Sequence, residues 1–401
     1  MIEQCKLATH SPLTLAALLL LVAARPAQAQ TETTLYDFGG GSDGANPRAG
    51  LTSDGKGNFY GTTEFGTAYG TSGDGTVFEL SPNSTAGWNH TVLYSFCSVN
   101  SPYYCEDGAN PFEYVIFDKV GNLYGTAYTG GEYGYGVVFE LSPGETGWTE
   151  TVLHSFDGMP DDGAYPVTGL TMDQAGNLYG TNDAGVFELS PSGDGWTEQV
   201  IYAENNSSFA GLTIDAEGRI FGATVWKIFK LSPIRGGGWN ATTIYTFRAQ
   251  DALKHGVNPQ GTIVLDNTGN LYGTTFQGGA ESYGTVYKVS RDKKGKWTEK
   301  ILHSFRGGHD GSFPVAGIVF DSAGNIYGTT LTGGRYGDGA VYELAAQGGR
   351  DWYKEKILWS FNRLDGMNLN DSLTLDSAGH LNGTATGGGS NGWGVVFALT
   401  P

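Results

Sequence analysis

The sequence predicts an all-β protein, a closed ring of seven four-stranded antiparallel sheets of the kind called a seven-bladed β-propeller, and three observations carry the prediction. The hexapeptide Gly-Asn-Leu-Tyr-Gly-Thr recurs seven times with small variations, starting at Gly57, Gly121, Gly176, Gly218, Gly269, Gly324 and Gly379. The spacings run from 42 to 64 residues, a range that marks an array, a solenoid or a propeller. Each unit offers four short strand signals, and no helix-period stretch follows residue 30. That pattern agrees with 64 glycines, 13% aromatic and only 16% charged residues, a balance suited to short strands and tight turns. Finally, the two ends complement each other. Residues 33–38 (TTLYDF) read as the fourth strand of a unit whose first three are missing, and residues 394–401 (GVVFALTP) as a third strand with no fourth. Pairing them completes a seventh sheet by joining the N-terminal strand to the C-terminal one, and leaves no terminal unit that needs a cap.

The first 29 residues differ in kind. Lys6 lies in a polar leader, residues 13–24 (LTLAALLLLVAA) form a 12-residue apolar run, and Ala27-Gln28-Ala29 supplies the small residues of a cleavage site. A secretory signal peptide over 1–29 is therefore expected, with a single propeller domain over 30–401. As a membrane anchor the run is short, about 18 Å as a helix against a hydrocarbon core of about 30 Å, so no membrane span is expected after cleavage. Cys5 precedes the run and leaves with it. Cys97 and Cys105 remain, close together in an insertion peculiar to the second unit. In an oxidising compartment they most simply form a disulfide, and no His or third Cys stands nearby to make a metal site.

Within a unit, the first strand (GLTMD in the third) ends in Asp in all seven copies: Asp54, Asp118, Asp173, Asp215, Asp266, Asp321 and Asp376. Asp opening a tight turn accepts backbone N–H bonds from residues just ahead, and the Gly three positions on can take positive φ. These carboxylates read as turn residues. The second strand is the hexapeptide itself. A Gly-rich connection such as YTGGEYGYG leads to the third; it runs strand to strand with no lysine following, which excludes a phosphate-cradling loop. The third strand leaves through Ser-Pro in four units, where a residue without an N–H suits a strand exit. A Trp at the head of the fourth strand in five units is expected to cap a neighbouring sheet. The first strand lines the central channel, where Gly50, Gly169, Gly211 and Gly317 fit the narrow hub. The connections from fourth to first strand and from second to third gather on one face, long and varied, and that face is where a ligand is expected.

The string Asp-x-x-Gly-Asn-Leu-Tyr-Gly-Thr-Thr, then Gly-Gly, then Gly-Thr-Val-Phe-Glu-Leu resembles the repeat of bacterial choice-of-anchor tandem repeat GloVer-containing proteins. It is carried here by residues 173–181, by 266–275 with Gly278 and Gly279, and by 321–344. The resemblance covers residues 33–401 and implies export, with no established activity. Some members end in a sorting signal; this chain stops at Pro401 straight after its last strand, so a released, secreted or periplasmic protein is expected. A weaker kinship in pattern extends to lactonase-like and streptogramin-lyase-like propellers, and fold does not imply function.

The formal charge of −18 argues against nucleic acid and anionic lipid as partners and leaves neutral polymers, basic proteins and divalent cations. Asp-Gly pairs in the fourth-to-first connections place Asp43, Asp107, Asp162, Asp310 and Asp365 at equivalent positions. They read either as turns or, if they point inward, as a broken ring of Ca²⁺ ligands, with Asn205 to Ser208 and His255-Gly256 interrupting it. Units three and four lack the Gly-Gly connection, which predicts a notch flanked by Tyr133, Tyr135, Tyr283 and Tyr336, able to stack on sugar rings or grip a peptide. His154 and His303 share one repeat position with Tyr94 and Trp359 and read as packing residues. No Ser-His-Asp set or His-x-His spacing stands out. The expected function is that of a noncatalytic, monomeric binding module for a polysaccharide or protein at or outside the cell envelope, with no obligatory cofactor; a metal-dependent lyase or hydrolase is the alternative.

Overall fold

The computed structural model describes residues 30–66, 74–85, 87–98, 105–193, 195–204, 209–348 and 353–401; the leader and Asn205 to Ser208 lie outside them. Seven antiparallel sheets follow one another along the chain, and in blades one to six the four main strands run in sequence order from hub to rim. Blade one is Thr52–Ser53, Phe59–Thr63, Thr76–Pro82 and Trp88–Ser95. Blade five carries an extra strand, Gly256–Pro259, paired with the far end of Leu271–Gly278.

Blade seven is closed by the two ends. Thr31–Asp37 pairs antiparallel with Val395–Thr400, setting Thr34 opposite Phe397 and Tyr36 opposite Val396. A register shift falls between Thr34 and Tyr36. The same irregularity recurs where every other outer strand meets its neighbour, for example between Val77 and Phe78 and between Val138 and Phe139. The N-terminal strand thus has the local geometry of the six other outer strands.

The hexapeptide explains itself in three contacts. The Asp three residues upstream of it closes the turn: Asp173 Oδ1 accepts from Ala175 N (2.8 Å) and Asn177 N (2.9 Å), while Oδ2 takes Asn177 Nδ2 (2.8 Å) and Tyr179 Oη (3.1 Å). Its second Gly gives room for a ring. A Cβ on Gly61 would stand 2.7 Å from Phe78 Cζ, and each of the other six copies meets the Phe or Tyr of its third strand in the same way. Its Thr reaches the next blade: Thr62 donates to Glu113 O (3.0 Å), Thr274 to Ala316 O (2.7 Å) and Thr384 to Ala49 O (2.8 Å).

The core is a set of seven apolar layers, one at each seam between neighbouring blades. Tyr124 and Val138 of blade two, for instance, pack on Leu170, Leu178 and Phe187 of blade three. The tryptophans join these layers, as expected of packing residues: Trp239 of blade four lies edge-on to Tyr179 of blade three at 5.7 Å and donates to Glu188 Oε2 at 3.1 Å. Removing this much apolar surface from water is what holds one blade to the next.

The innermost strands are shorter than expected. GLTMD contributes only Thr171–Met172 to the ladder, and Gly169 ahead of that pair bonds to Glu113 of the neighbouring blade. The two sets of connections share one face: Ala45 bridges Phe65, Ala109 bridges Thr129, Ser312 bridges Thr332 and Met367 bridges Gly387. Cys97 and Cys105 form the disulfide.

Candidate functional site

The five Asp-Gly carboxylates sit at the rim, each folded back on the outer strand that precedes it. Asp43 accepts from Tyr36 Oη (3.0 Å) and Gly39 N (2.7 Å); Asp107 from Tyr94 Oη (2.7 Å) and Ser98 N (2.9 Å). Asp162 meets His154 Nε2 and Asp157 N, both at 2.6 Å; Asp310 meets His303 Nε2 at 3.3 Å and Arg306 N at 2.7 Å. Asp365 accepts from Trp359 Nε1 (3.3 Å) and Asn362 N (2.7 Å). Each carboxylate closes its own loop, so the five are spread one to a blade seam instead of gathering around the channel mouth. Among the described residues, no group of three able to hold a cation draws on more than one of them. His154 and His303 accordingly do more than pack: each ties an outer strand to the loop that leaves it.

A second acid faces most of these pairs from the following blade. Glu150 lies against Asp107, Glu198 against Asp162, Glu355 against Asp310 and Glu32 against Asp365. Burial, reinforced by the neighbouring carboxylate, pushes Glu150 and Glu198 up to about 8 and Glu32 to about 7. Oε1 of Glu150, Glu198 and Glu355 is buried with no hydrogen-bond partner, which agrees with carboxyl groups pushed toward their neutral form. At the seam between blades four and five, His255 replaces the Asp and binds Glu299 through Nδ1, with Tyr245 Oη at 3.0 Å from the same carboxylate.

The four tyrosines are at the loop face and partly free. Tyr133 and Tyr336 are 49% and 55% exposed, whereas Tyr135 and Tyr283 lean edge-on against Tyr165 and Phe313, both at 5.7 Å. Blades three and four do have the short connections, residues 182–184 and 225–226. The rings stand apart along the face, Tyr133 and Tyr135 on the connection of blade two, Tyr283 on that of blade five and Tyr336 on that of blade six, with Trp226 exposed at the tip of the shortest connection.

A concavity lies at the hub, on the same face: a cavity of about 390 Å³ at the mouth of the central channel, walled largely by the segments just before the innermost strands. Here the repeat breaks. Where five blades place Ala49, Thr168, Ala210, Gly261 and Ala316, blade two has Glu113 and blade seven Asp371. Both carboxyl groups lie deep among protein atoms while keeping free surface toward the cavity. Each accepts from the glycine of the next blade, Glu113 Oε2 from Gly169 N (2.9 Å) and Asp371 Oδ2 from Gly50 N (2.6 Å), and Asp371 Oδ1 also takes Ser372 N (2.6 Å). Burial holds both above the ordinary carboxylate range, and the charge of Asp371 raises Glu113 further. Arg48, the cation in the wall, bonds Glu64 at 3.3 Å and lies over the Phe112 ring at 4.9 Å.

The next position breaks the repeat as well. Gly50, Gly169, Gly211 and Gly317 alternate around the hub with Tyr114, Thr262 and Ser372. A methyl group at Gly169 would run into the Tyr114 ring, and one at Gly211 into Thr262 Oγ1. The hub glycines are therefore the sockets of their larger neighbours. Sequence reading by repeat position noticed the glycines and missed Glu113, Tyr114 and Asp371; the available signal was the departure of these residues from the Ala-Gly of the other units.

Residues 21–189, 103–252 and 200–401 match the profile described as Gloeobacter/Verrucomicrobia repeat. The chain belongs to this repeat family. No curated protein matches it. Among solved structures, the chain is similar to a streptogramin B lyase, at 14% identity over 93% of this chain and 99% of that one, with a TM-score of 0.57. It is also similar to a periplasmic gluconolactonase from Pseudomonas aeruginosa (12% identity, 78% of this chain and 85% of that one, TM-score 0.52). A third likeness is to the extracellular domain of a hybrid two component system from B. thetaiotaomicron, at 13% identity and TM-score 0.58, with 92% of this chain spanning 41% of that one. At these identities the likeness is one of fold.

Proposed function

We propose that this family member is an exported, noncatalytic binding module that takes a small polar ligand, or the exposed end of a polysaccharide or protein, in the mouth of its central channel. The observation that carries the reading is the cavity walled by Glu113 and Asp371, a concave place where the repeat departs from its own pattern in chemically active residues. A residue present in every blade is explained by folding; these two are not. The disulfide between Cys97 and Cys105 supports an oxidising location, as does the company of extracellular and periplasmic propellers. Tyr133, Tyr135, Tyr283 and Tyr336 offer stacking surfaces on the same face for the remainder of a larger ligand.

A metal-dependent lyase or hydrolase is the second reading. Burial raises both carboxyl groups above their ordinary range, the direction that suits a general acid. Among the described residues of the cavity wall, however, there is no histidine, cysteine or third acid to act as base or metal ligand, and binding is favoured for that reason. The test is hydrogen–deuterium exchange on residues 30–401 with a panel of oligosaccharides, amines, Ca²⁺ and EDTA. Protection concentrated in 112–114, 258–262 and 370–372 is expected from the ligand that also raises the melting temperature. Silence of these segments throughout the panel would count against a channel site of either kind.

A further inference from the structure

We infer that the channel mouth recognises an organic ammonium group carried on a short apolar stem. This inference rests on the binding reading above and adds the class of ligand.

Three features of the wall point to it. The first is charge. Glu113 and Asp371 bring two acids into one cavity, and among the described residues neither has an ion-pair partner; the nearby Arg48 is already bonded to Glu64 and stacked on Phe112. The backbone N–H groups of Gly169, Gly50 and Ser372 hold the two carboxyl groups in place and leave lone pairs facing the cavity. A buried carboxylate wants a cation or several donors, and an ammonium group brings both, with three N–H bonds. The second is the apolar remainder. Phe112, Phe209, Phe276 and Leu331 line the same space, a surface that suits methylene or aryl groups and the faces of which attract a cation.

The third feature separates an organic cation from a metal ion. Ca²⁺ takes six to eight hard oxygens, and among the described residues the groups of three acids, histidines or cysteines close enough to share one ion include neither Glu113 nor Asp371. Two carboxyl groups from blades two steps apart in the ring, with aromatic rings between the loops, make a poor cage and a good clamp. The elevated carboxyl range adds a consequence: the ammonium favours the ionised acids, so binding releases protons and strengthens as pH rises from 5.5 to 8.

The experiment is isothermal titration of residues 30–401 with n-pentylamine and benzylamine, against their neutral isosteres n-pentanol and benzyl alcohol, and against CaCl₂ and maltotriose. The amines are expected to bind one to one, at least tenfold more tightly than the alcohols and more tightly at pH 8 than at 5.5. Glu113→Gln and Asp371→Asn each keep an oxygen for the glycine N–H, so the fold persists, checked by an unchanged melting temperature, while amine affinity falls at least tenfold. Equal affinity for amine and alcohol, or indifference to both substitutions, overturns the ammonium assignment. Ca²⁺ binding lost in the same two variants overturns it in favour of a metal. Maltotriose binding that protects the channel segments, without amine binding, overturns the ligand class and leaves the binding reading standing; absence of any binding removes both.

Discussion

Acids occupy both the rim and the hub of this ring, and they follow opposite rules. At the rim the pattern is repeated: Asp107 with Glu150, Asp162 with Glu198, Asp310 with Glu355 and Asp365 with Glu32 place one carboxyl pair at each of four seams, and variants of the same contact fill others. At the hub the pattern is broken: Glu113 and Asp371 stand where five blades have Ala, Gly or Thr. Rim acids tie outer strands to their loops and press blade against blade. Hub acids accept from the next blade's glycine, Asp371 from its neighbour Ser372 N as well, and otherwise face a cavity. In a repeat protein, symmetry is thus a physical sorting device. A residue each blade needs in order to fold appears in each blade, and what remains after that subtraction is where function has room to differ.

The contrast can be broken by substitution, beginning with the tightest place. Gly261→Ala at the hub would drive a methyl group into the backbone oxygen of Ala316, which cannot yield, and should cost about 3 kcal/mol. Gly195→Ala at the rim meets nothing within 4 Å and should leave chemical denaturation midpoints unchanged. Next in size, Asp162→Ala removes the acceptor of His154 and of Asp157 N and is expected to cost about 2 kcal/mol in urea unfolding. Glu113→Ala, which installs the residue blades one, four and six already have, removes a buried raised acid along with the acceptor of Gly169 N, and should cost about 1 kcal/mol or less. Equal losses at Asp162 and Glu113 would erase the distinction between rim and hub.

The pH dependence sharpens it further. Glu150 and Glu198 are raised in the folded state to about 8 from an unfolded value of 4.5. The folded protein holds these protons more tightly, so their contribution is complete below about pH 4.5 and is lost as pH rises through about 8. The turn carboxylates act in the opposite sense: Asp266, lowered to about 2 by the donors of Asn270 and Thr268 despite its burial, contributes stability above about pH 4 that is lost as pH falls toward 2. Melting temperature should therefore peak between about pH 4 and 6. Because the rim pairs are partly screened by water, each is worth about 1 kcal/mol at most, and Glu198→Gln should flatten the alkaline limb measurably. The smallest effect is expected at the loop face, where Tyr336→Ala, 55% exposed, should change the melting temperature by less than 1 to 2 °C (about 0.5 kcal/mol or less) while weakening any oligosaccharide that stacks there.

Much of the architecture was legible because local chemistry repeats. Asp173 announces its turn through the Gly-Asn that follows, and the split of one unit between residues 33–38 and 394–401 announces closure. The rim was legible in part. Asp162 was visible as a repeated Asp-Gly, but its partner His154 lies on the strand before the loop and its opponent Glu198 on the next blade, so the turn reading was near the mark and the idea of an inward ring was not. The hub pair was not read at all. Glu113 and Asp371 are 258 positions apart by their numbering, and each looks like an ordinary polar residue in a loop until the ring brings both to one opening.

What the sequence determined by itself was everything that one blade needs: turn carboxylates, glycines that admit a ring, alternating apolar strands, the count of seven and the join of the two ends. These depend on neighbours a few residues away or on the identical contact made again in the next unit, so a pattern along the chain records them. What only the tertiary structure decided was which exceptions face one another. Closing seven twisted sheets around an axis turns a position shared by all blades into a ring of neighbours, and at that radius Glu113, Asp371, Tyr114 and their glycine sockets share one small space. Proximity of that kind comes from the curvature of the whole ring and is written in no single unit of the chain.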